Sequence, residues 1–198
     1  MEAKKLALFD FDGTITQSDS LLLFLKFYFS TPSLLTKSLL FSPKLIAQKL
    51  GVINNSIAKE ELTTLFFKGE ALEEFNQKCQ AFAKQELPKI VMPSAALAIE
   101  EYQSKGVKVM VVSASFENYL KPYFEPFGVE VIATRLAHNK GVLSGKFIGQ
   151  NCYGQEKVNR IQESLELDDY QEIIAYGDTA GDKPMLELAT QSFYKRFR

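Results

Sequence analysis

Lys4-Lys5-Leu6-Ala7-Leu8-Phe9-Asp10-Phe11-Asp12-Gly13-Thr14-Ile15-Thr16 is an apolar run that ends in two acids separated by one aromatic. Leu6 to Phe9 form the short continuous apolar segment typical of a parallel strand covered on both faces, and Gly13 lets the backbone turn sharply beyond it. The pattern predicts a buried strand with Asp10 and Asp12 at its C-terminal tip. Side chains two apart in a strand point the same way, so both carboxylates can address one spot; a turn at Gly13 could instead swing Asp12 aside. Asp beside Gly is common in ordinary turns, so the pair alone says little. A second apolar run, Ile173-Ile174-Ala175-Tyr176, also ends in glycine and acids, Gly177-Asp178-Thr179-Ala180-Gly181-Asp182. Two strands ending in carboxylates suggest a bound cation.

With both acidic ends in view, the sequence resembles the haloacid dehalogenase superfamily of phosphatases. That family's first motif is Asp-x-Asp-Gly-Thr and its fourth is Gly-Asp-x-x-x-Asp, and both are matched without a gap, from Asp10 and from Gly177. The resemblance extends to the second motif, a strand ending in Ser at Val111-Val112-Ser113, and to the third, a Lys at the start of a helix at Lys157. These motifs span nearly the whole chain in the family's order. More closely, the sequence is similar to subfamily IB, which contains the phosphoserine phosphatases. The resemblance implies hydrolysis of a phosphate monoester through a covalent aspartyl-phosphate on Asp10, with Asp12 as the acid and base. It implies Mg²⁺ held by Asp10, Asp178 and the main-chain carbonyl of Asp12, in keeping with the oxygen ligands this ion prefers. Ser113, Ala114 and Lys157 are expected to contact the phosphoryl group, and Asp182 to support the metal site by orienting Asp178 or metal-bound waters. The family's dehalogenases lack the second acid, so Asp12 favours phosphoryl chemistry.

Three departures bear on the substrate. Asp19 stands where phosphoserine phosphatases have a cap-side Glu. Their cap Arg falls near Thr63, judged from the Phe66-Phe67-Lys68 stretch. Ala114-Ser115 replaces a Gly-Gly pair, and the lysine register is shifted toward Lys157. The carboxylate of phosphoserine thus lacks its expected Arg partner.

Composition limits the other classes. At 198 residues, with 46% hydrophobic and 24% charged, the chain can bury one good core and a smaller lobe. A net charge of -1 and scattered lysines give no nucleic-acid footprint. His138 is the only histidine, which removes a histidine-dependent triad or zinc site. Cys79 and Cys152 show no metal-type spacing and read as free thiols of a reducing cytoplasm. No signal-like core precedes the first strand.

After Thr14 the sheet pattern stops for some eighty residues, so residues 17–92 are expected to form an inserted helical cap, with residues 1–16 and 93–198 as the core. Leu21 to Phe29 is apolar on nearly every face but too short to span a bilayer. Thr31-Pro32 and Ser42-Pro43 each look like an N-cap followed by Pro at the first helical position, with Gly51 as a helix stop. Leu72, Phe75, Cys79 and Phe82 make one apolar helical stripe. Beyond Pro88 and Pro93 come a helix from Ala95 to Lys105, a strand from Val107 to Val112, Ser113-Ala114-Ser115-Phe116 entering a helix that reaches about Phe127, and a strand from Val129 to Ala133. Arg135 to Gly149 alternates around Asn139-Lys140-Gly141, which suggests a hairpin with a slightly longer turn. A helix from Gln155 to Leu165 and a short strand from Ser192 to Tyr194 follow. This order predicts an α/β fold: a doubly wound, Rossmann-like parallel sheet, its core strands ordered about 3-2-1-4-5, with a helical cap and a β-hairpin inserted. In such a sheet the crevice opens between core strands one and four, which end in Asp10 and Asp178.

The first half of the cap is unusually apolar, with Leu34-Leu35, Leu39-Leu40-Phe41 and Leu45-Ile46 flanked by Lys26, Lys37, Lys44 and Lys49. Such helices can lie on an anionic surface. Together with Asp19 and Gly154 to Val158, this segment is similar to the subfamily's phosphatidylglycerophosphate phosphatases, so the expected partner is a small-molecule or lipid phosphate ester, and no transmembrane segment is expected; peripheral membrane contact and simple packing of these side chains against one another and the core both stay open. Water or another acceptor could receive the phosphoryl group. The sequence leaves the oligomeric state and natural substrate open.

Overall fold

The computed structural model describes residues 4–49, 51 and 53–197, with the side chains of 44–49 excepted. In chain order the elements are β1 (Lys5–Phe9), α1 (Ser20–Tyr28), α2 (Thr31–Lys49), α3 (Asn55–Phe67), α4 (Leu72–Gln85), α5 (Leu87–Ile90), α6 (Pro93–Ser104), β2 (Lys108–Phe116), α7 (Glu117–Phe124), β3 (Glu130–Thr134), β4 (Leu136–Asn139), β5 (Val142–Phe147), α8 (Gln155–Ser164), β6 (Glu172–Gly177), α9 (Lys183–Glu187) and β7 (Gln191–Tyr194).

Five strands make one parallel sheet in the order β3-β2-β1-β6-β7, which is the expected doubly wound arrangement. β1 lies at its centre. Ala7 and Phe9 point into one apolar cluster with Val109, Val111, Ile174 and Tyr176, while Leu6 and Leu8 point into another with Met110, Val112, Ile173 and Ala175. Both faces are covered, which is why these strands read as unbroken apolar runs. Ile161 of α8 and Met185 of α9 close the second cluster.

The first cluster extends beyond the sheet into the helices α1 to α5. Phe24 of α1 lies within 6 Å of the rings of Tyr28, Phe67, Phe75, Phe82 and Tyr119. Tyr119 belongs to α7, and Phe67 meets Phe116 at the end of β2, so the lobe packs directly on the core. Each such aromatic contributes roughly 1.5–3 kcal/mol by leaving water. Among the described residues of 17–92 no strand forms, although Thr16 bridges Val91 and Ala71 bridges Val142.

The β4–β5 hairpin stands outside the sheet. Its turn is tighter than the sequence suggested: Lys140 (φ 48°) and Gly141 (φ 79°) form a two-residue turn with both φ positive, matching the twist of the strands. The hairpin is stitched to the lobe by Gly69 N–H to Leu143 O (2.9 Å), Leu143 N–H to Glu70 O (2.9 Å) and Leu72 N–H to Gly141 O (2.8 Å).

Two element boundaries also differ from expectation. Ser42-Pro43 begins no helix, because Pro43 lies inside α2. A proline leaves the carbonyl four residues earlier without its helical N–H, and here Ser42 Oγ donates to that carbonyl, Leu39 O, at 2.8 Å. Strand β2 runs past its expected end at Val112 through Phe116, with a register irregularity against β3 between Ser113 and Phe116, and the helix entered there begins at Glu117.

Candidate active site

The parallel sheet brings the tips of β1, β2 and β6 to one edge. Asp10 continues the ladder, its N–H donating to Tyr176 O at 2.9 Å. The chain then closes a tight turn in which Phe11 O accepts from the N–H groups of Thr14 (3.2 Å), Ile15 (2.9 Å) and Thr16 (3.0 Å), with Gly13 at φ 84°. This turn decides where Asp12 goes. Its Oδ1 accepts from Ser20 N–H at 2.6 Å, at the start of α1, and its Oδ2 accepts from Ser115 Oγ. Asp10 instead meets Lys157, so the two acids share a cavity while answering to opposite walls.

Lys157, in the first turn of α8, is fully buried and donates at 2.7 Å to each of Asp10 Oδ1, Val112 O and Asp182 Oδ1. An ammonium has three hydrogens, and all are placed. The third acceptor, Asp182, is expected to orient Asp178; it is tied both to Lys157 and to the backbone of its own loop, Asp178 included. Its Oδ2 accepts from Asp178 N–H (3.2 Å), Thr179 N–H (2.9 Å) and Thr179 Oγ1 (2.8 Å). Gly177 makes the fold-back possible, because a Cβ there would lie 2.5 Å from Asp182 Cβ.

The electrostatics follow from burial and this pairing. Burial drives the Asp10 carboxyl up to about 7; Lys157 opposes the rise, and Asp182 and Asp12 add to it. Burial pushes Lys157 down, but Asp10 and Asp182 outweigh it and hold the ammonium above its ordinary value. Asp182 is also pushed up by burial, yet Lys157 and the Thr179 bonds bring it below the usual carboxylate range. Asp12 is raised by burial and by Asp19, against the Ser115 and Ser20 hydrogen bonds. One oxygen each of Asp10, Asp178 and Asp182 lies within 4.8 Å of the others. Thr14 Oγ1 donates to Asp178 Oδ1 at 3.4 Å.

Asp10, Asp12, Lys157 and Asp182 open on a cavity of about 280 Å³, while Asp178 and Thr14 lie outside its lining. Its floor includes Asp10, Asp12, Ser113, Ala114, Ser115 and Lys157; its roof is Leu21, Leu22, Phe41 and Leu62 of the lobe, with Lys59 and Asp19. Ser113 Oγ accepts from Ser115 N–H at 3.0 Å. Ala114 O accepts from Thr134 Oγ1 (2.6 Å) and from Lys59 Nζ (2.7 Å). Asp19 caps α1, its Oδ1 accepting from Leu22 N–H at 2.9 Å. Thr63 is buried and bonds to the carbonyl of Lys59 one turn earlier, so the cation on that helix face is Lys59.

Lys59, Ser115, Ser20 and Tyr119 were not assigned a role from sequence. Ser115 stood out as a replacement for glycine; Lys59 lies in a mixed-charge helix where nothing local separates it from a solvated lysine.

Comparison with known proteins agrees with this architecture. The model of the haloacid dehalogenase-like hydrolase family matches residues 7–187. Protein CicA of Caulobacter vibrioides is 34% identical over 195 residues, covering 98% of this chain and 86% of that protein. A Bordetella pertussis protein of unknown function superposes with a TM-score of 0.80 at 22% identity, over 96% of this chain and 89% of that one. A substrate-bound phosphoserine phosphatase superposes with a TM-score of 0.66 at 22% identity, over 98% and 87%.

Proposed function

The chain belongs to the haloacid dehalogenase-like hydrolase family and is a phosphoric monoester hydrolase, and from that premise we propose that it is a Mg²⁺-dependent phosphatase working through an aspartyl-phosphate on Asp10. The observation that carries this reading is the division of labour between the two acids. Lys157 holds Oδ1 of Asp10 and leaves its other oxygen for phosphorus, whereas Asp12 is held by Ser20 and Ser115 instead, with burial favouring its protonated form. In the first half-reaction an Asp10 oxygen bonds to phosphorus, the bond from phosphorus to the alcohol oxygen breaks, and Asp12 gives that oxygen its proton. In the second, Asp12 takes a proton from water, the water oxygen bonds to phosphorus, and the bond to Asp10 breaks to release inorganic phosphate. Positioned proton transfer of this kind is worth about 10²–10⁴ in rate.

Hard oxygen donors on two strand tips fit Mg²⁺. Asp10 and Asp178 would hold the ion, with the Asp12 carbonyl as a further ligand, as the family resemblance implies, and Asp182 completes the acidic cluster beside them. When bound, the ion supplies positive charge that offsets the phosphoryl oxygens. Ser113 lies at the cavity floor to meet those oxygens, and Lys157 adds a fixed positive charge behind Asp10.

The test uses an aryl phosphate. Activity should require Mg²⁺ and vanish in excess chelator, and Asp10→Asn and Asp178→Asn should each fall to near background. Asp12→Asn should slow turnover more than tenfold with the fold intact. Full activity in chelator would remove the metal from this account.

A lipid phosphate as substrate is supported by one observation: α2 exposes Leu35 (65%), Leu39 (76%) and Leu40 (69%) beside the cavity's lobe wall. The lysines argue less for it than the sequence did. Lys37 turns inward, donating to Phe66 O at 3.0 Å with its ammonium 4.5 Å from the Phe29 ring centre; the side chains of Lys44, Leu45, Ile46 and Lys49 lie outside those described. No helix among the described residues is long and apolar enough to cross a membrane. Micellar lipid phosphate should outperform free phosphoserine in kcat/KM, and the protein should co-sediment with anionic liposomes; failure of both ends the lipid reading. Competition by alcohols separates hydrolysis from transfer to another acceptor.

A further inference from the structure

Behind Asp12 lies a chain of hydroxyls that the reaction above does not use. Tyr119, Ser20 and Ser115 are each buried, with at most 1% exposure. Tyr119 Oη lies 3.1 Å from Ser20 Oγ, Ser20 Oγ lies 3.0 Å from Ser115 Oγ, and Ser115 Oγ bonds to Asp12 Oδ2. The three side chains come from α7, α1 and the end of β2, so the chain joins lobe to core. A buried hydroxyl chain of this kind ends on the second acid, not the first.

Its direction is set by proton count. Each hydroxyl has one hydrogen, and an ionised carboxylate can only accept. Ser115 therefore donates to Asp12, Ser20 donates to Ser115, and Tyr119 donates to Ser20. Reversal would require Asp12 to donate from Oδ2, which its ionised form cannot do. With Asp12 ionised, Oδ2 thus accepts from behind, and Ser20 N–H occupies Oδ1 from the α1 side. The proton that Asp12 carries is left to a lone pair outside these bonds, on a residue that lines the cavity.

We propose that Ser115, Ser20 and Tyr119 are positioning residues that hold Asp12 with its transferable proton directed at the leaving oxygen of the substrate. The proposal rests on the acid role given to Asp12 above. It predicts an effect that depends on the leaving group: an alkoxide needs that proton as its bond to phosphorus breaks, while 4-nitrophenolate departs as a stable anion.

The experiment compares kcat/KM, which reports formation of the phospho-enzyme, for an alkyl phosphate and for 4-nitrophenyl phosphate in wild type, Ser115→Ala, Ser115→Thr and Tyr119→Phe. Ser115→Ala should lose about tenfold more on the alkyl ester than on the aryl ester. Tyr119→Phe should show the same bias at about threefold, and Ser115→Thr should restore the wild-type ratio by restoring the hydroxyl. Tyr119→Phe keeps its ring, so it carries the test if Ser115→Ala does not fold. Equal losses on both esters, or none, in the folded variants overturn the proposal and leave the phosphatase reading standing. A wild-type protein that hydrolyses neither ester overturns both.

Discussion

Lys157 and Lys59 approach the same cavity from opposite walls, and the walls are built differently. Lys157, from the core helix α8, is fully buried with three acceptors, two of them carboxylates. Lys59, from the lobe helix α3, is half-buried and donates to one carbonyl, Ala114 O. Burial pulls both ammonium groups down; at Lys157 the carboxylates reverse the sign, while at Lys59 the more distant Asp12 and Asp19 only soften it. The core wall is fixed before substrate arrives, as preorganised electrostatic catalysis requires. On the lobe wall a cation stands among apolar side chains, with Ala114 O its hydrogen-bond acceptor among the described residues. We propose that the first wall carries the chemistry and that the second discriminates between alcohols.

The largest break in that contrast should come at Lys157. Lys157→Met should cost at least a hundredfold in kcat and destabilise the protein by about 3–5 kcal/mol, because two buried carboxylates lose their partner. Steady-state kinetics and denaturant titration read the two effects. A variant within tenfold of the wild-type rate would mean that the core wall is not organised around this ammonium.

Lys59→Met sharpens the contrast at intermediate size. KM should rise several-fold for an ester whose alcohol carries a second anionic group, with kcat within about twofold and stability nearly unchanged, the pattern of lost uniform binding. A parallel fall in kcat would draw the lobe wall into the chemistry.

The smallest effect is a slope with pH. In metal-free protein Asp10 is raised from 3.8 to about 7 by burial, so as pH rises through that interval the unfolded chain loses a proton that the folded protein retains. Stability then falls with rising pH. Thermal melts of wild type and Asp10→Asn should differ in this slope, and Mg²⁺ should flatten the wild-type curve. Parallel melting curves would mean that Asp10 is not desolvated as its surroundings imply.

The strand tips were legible because a central parallel strand must be apolar on both faces, and acids that interrupt such a run stand out. Lys157 was legible through its motif order. The partners of these residues were not, since Ser115 meets Asp12 across 103 positions and no local periodicity carries that information. Pro43 misled for a related reason: a Ser-Pro pair signals a helix start in the chain's local code, and only the structure reveals that Ser42 supplies the missing bond at Leu39. The boundaries at residues 17 and 92 mark a change of pattern, and we propose the lobe as a domain in topology. Phe24 against Tyr119 and Phe67 against Phe116 make its packing continuous with the core.

The central place of β1 has a consequence for how the chain folds. Leu6 pairs with Lys108 on one side and Ile173 on the other, so this strand must wait for partners about a hundred and more than a hundred and sixty residues downstream. Contacts so distant in sequence close slowly, and an unpaired apolar strand is prone to wrong association meanwhile. A nascent chain that has made the lobe and β2 has half a sheet, with Asp10 at its edge and Asp178 not yet synthesised. The surroundings of Asp10 are therefore assembled among the last parts of the molecule, and chaperone dependence during synthesis should track the delay before β6 emerges.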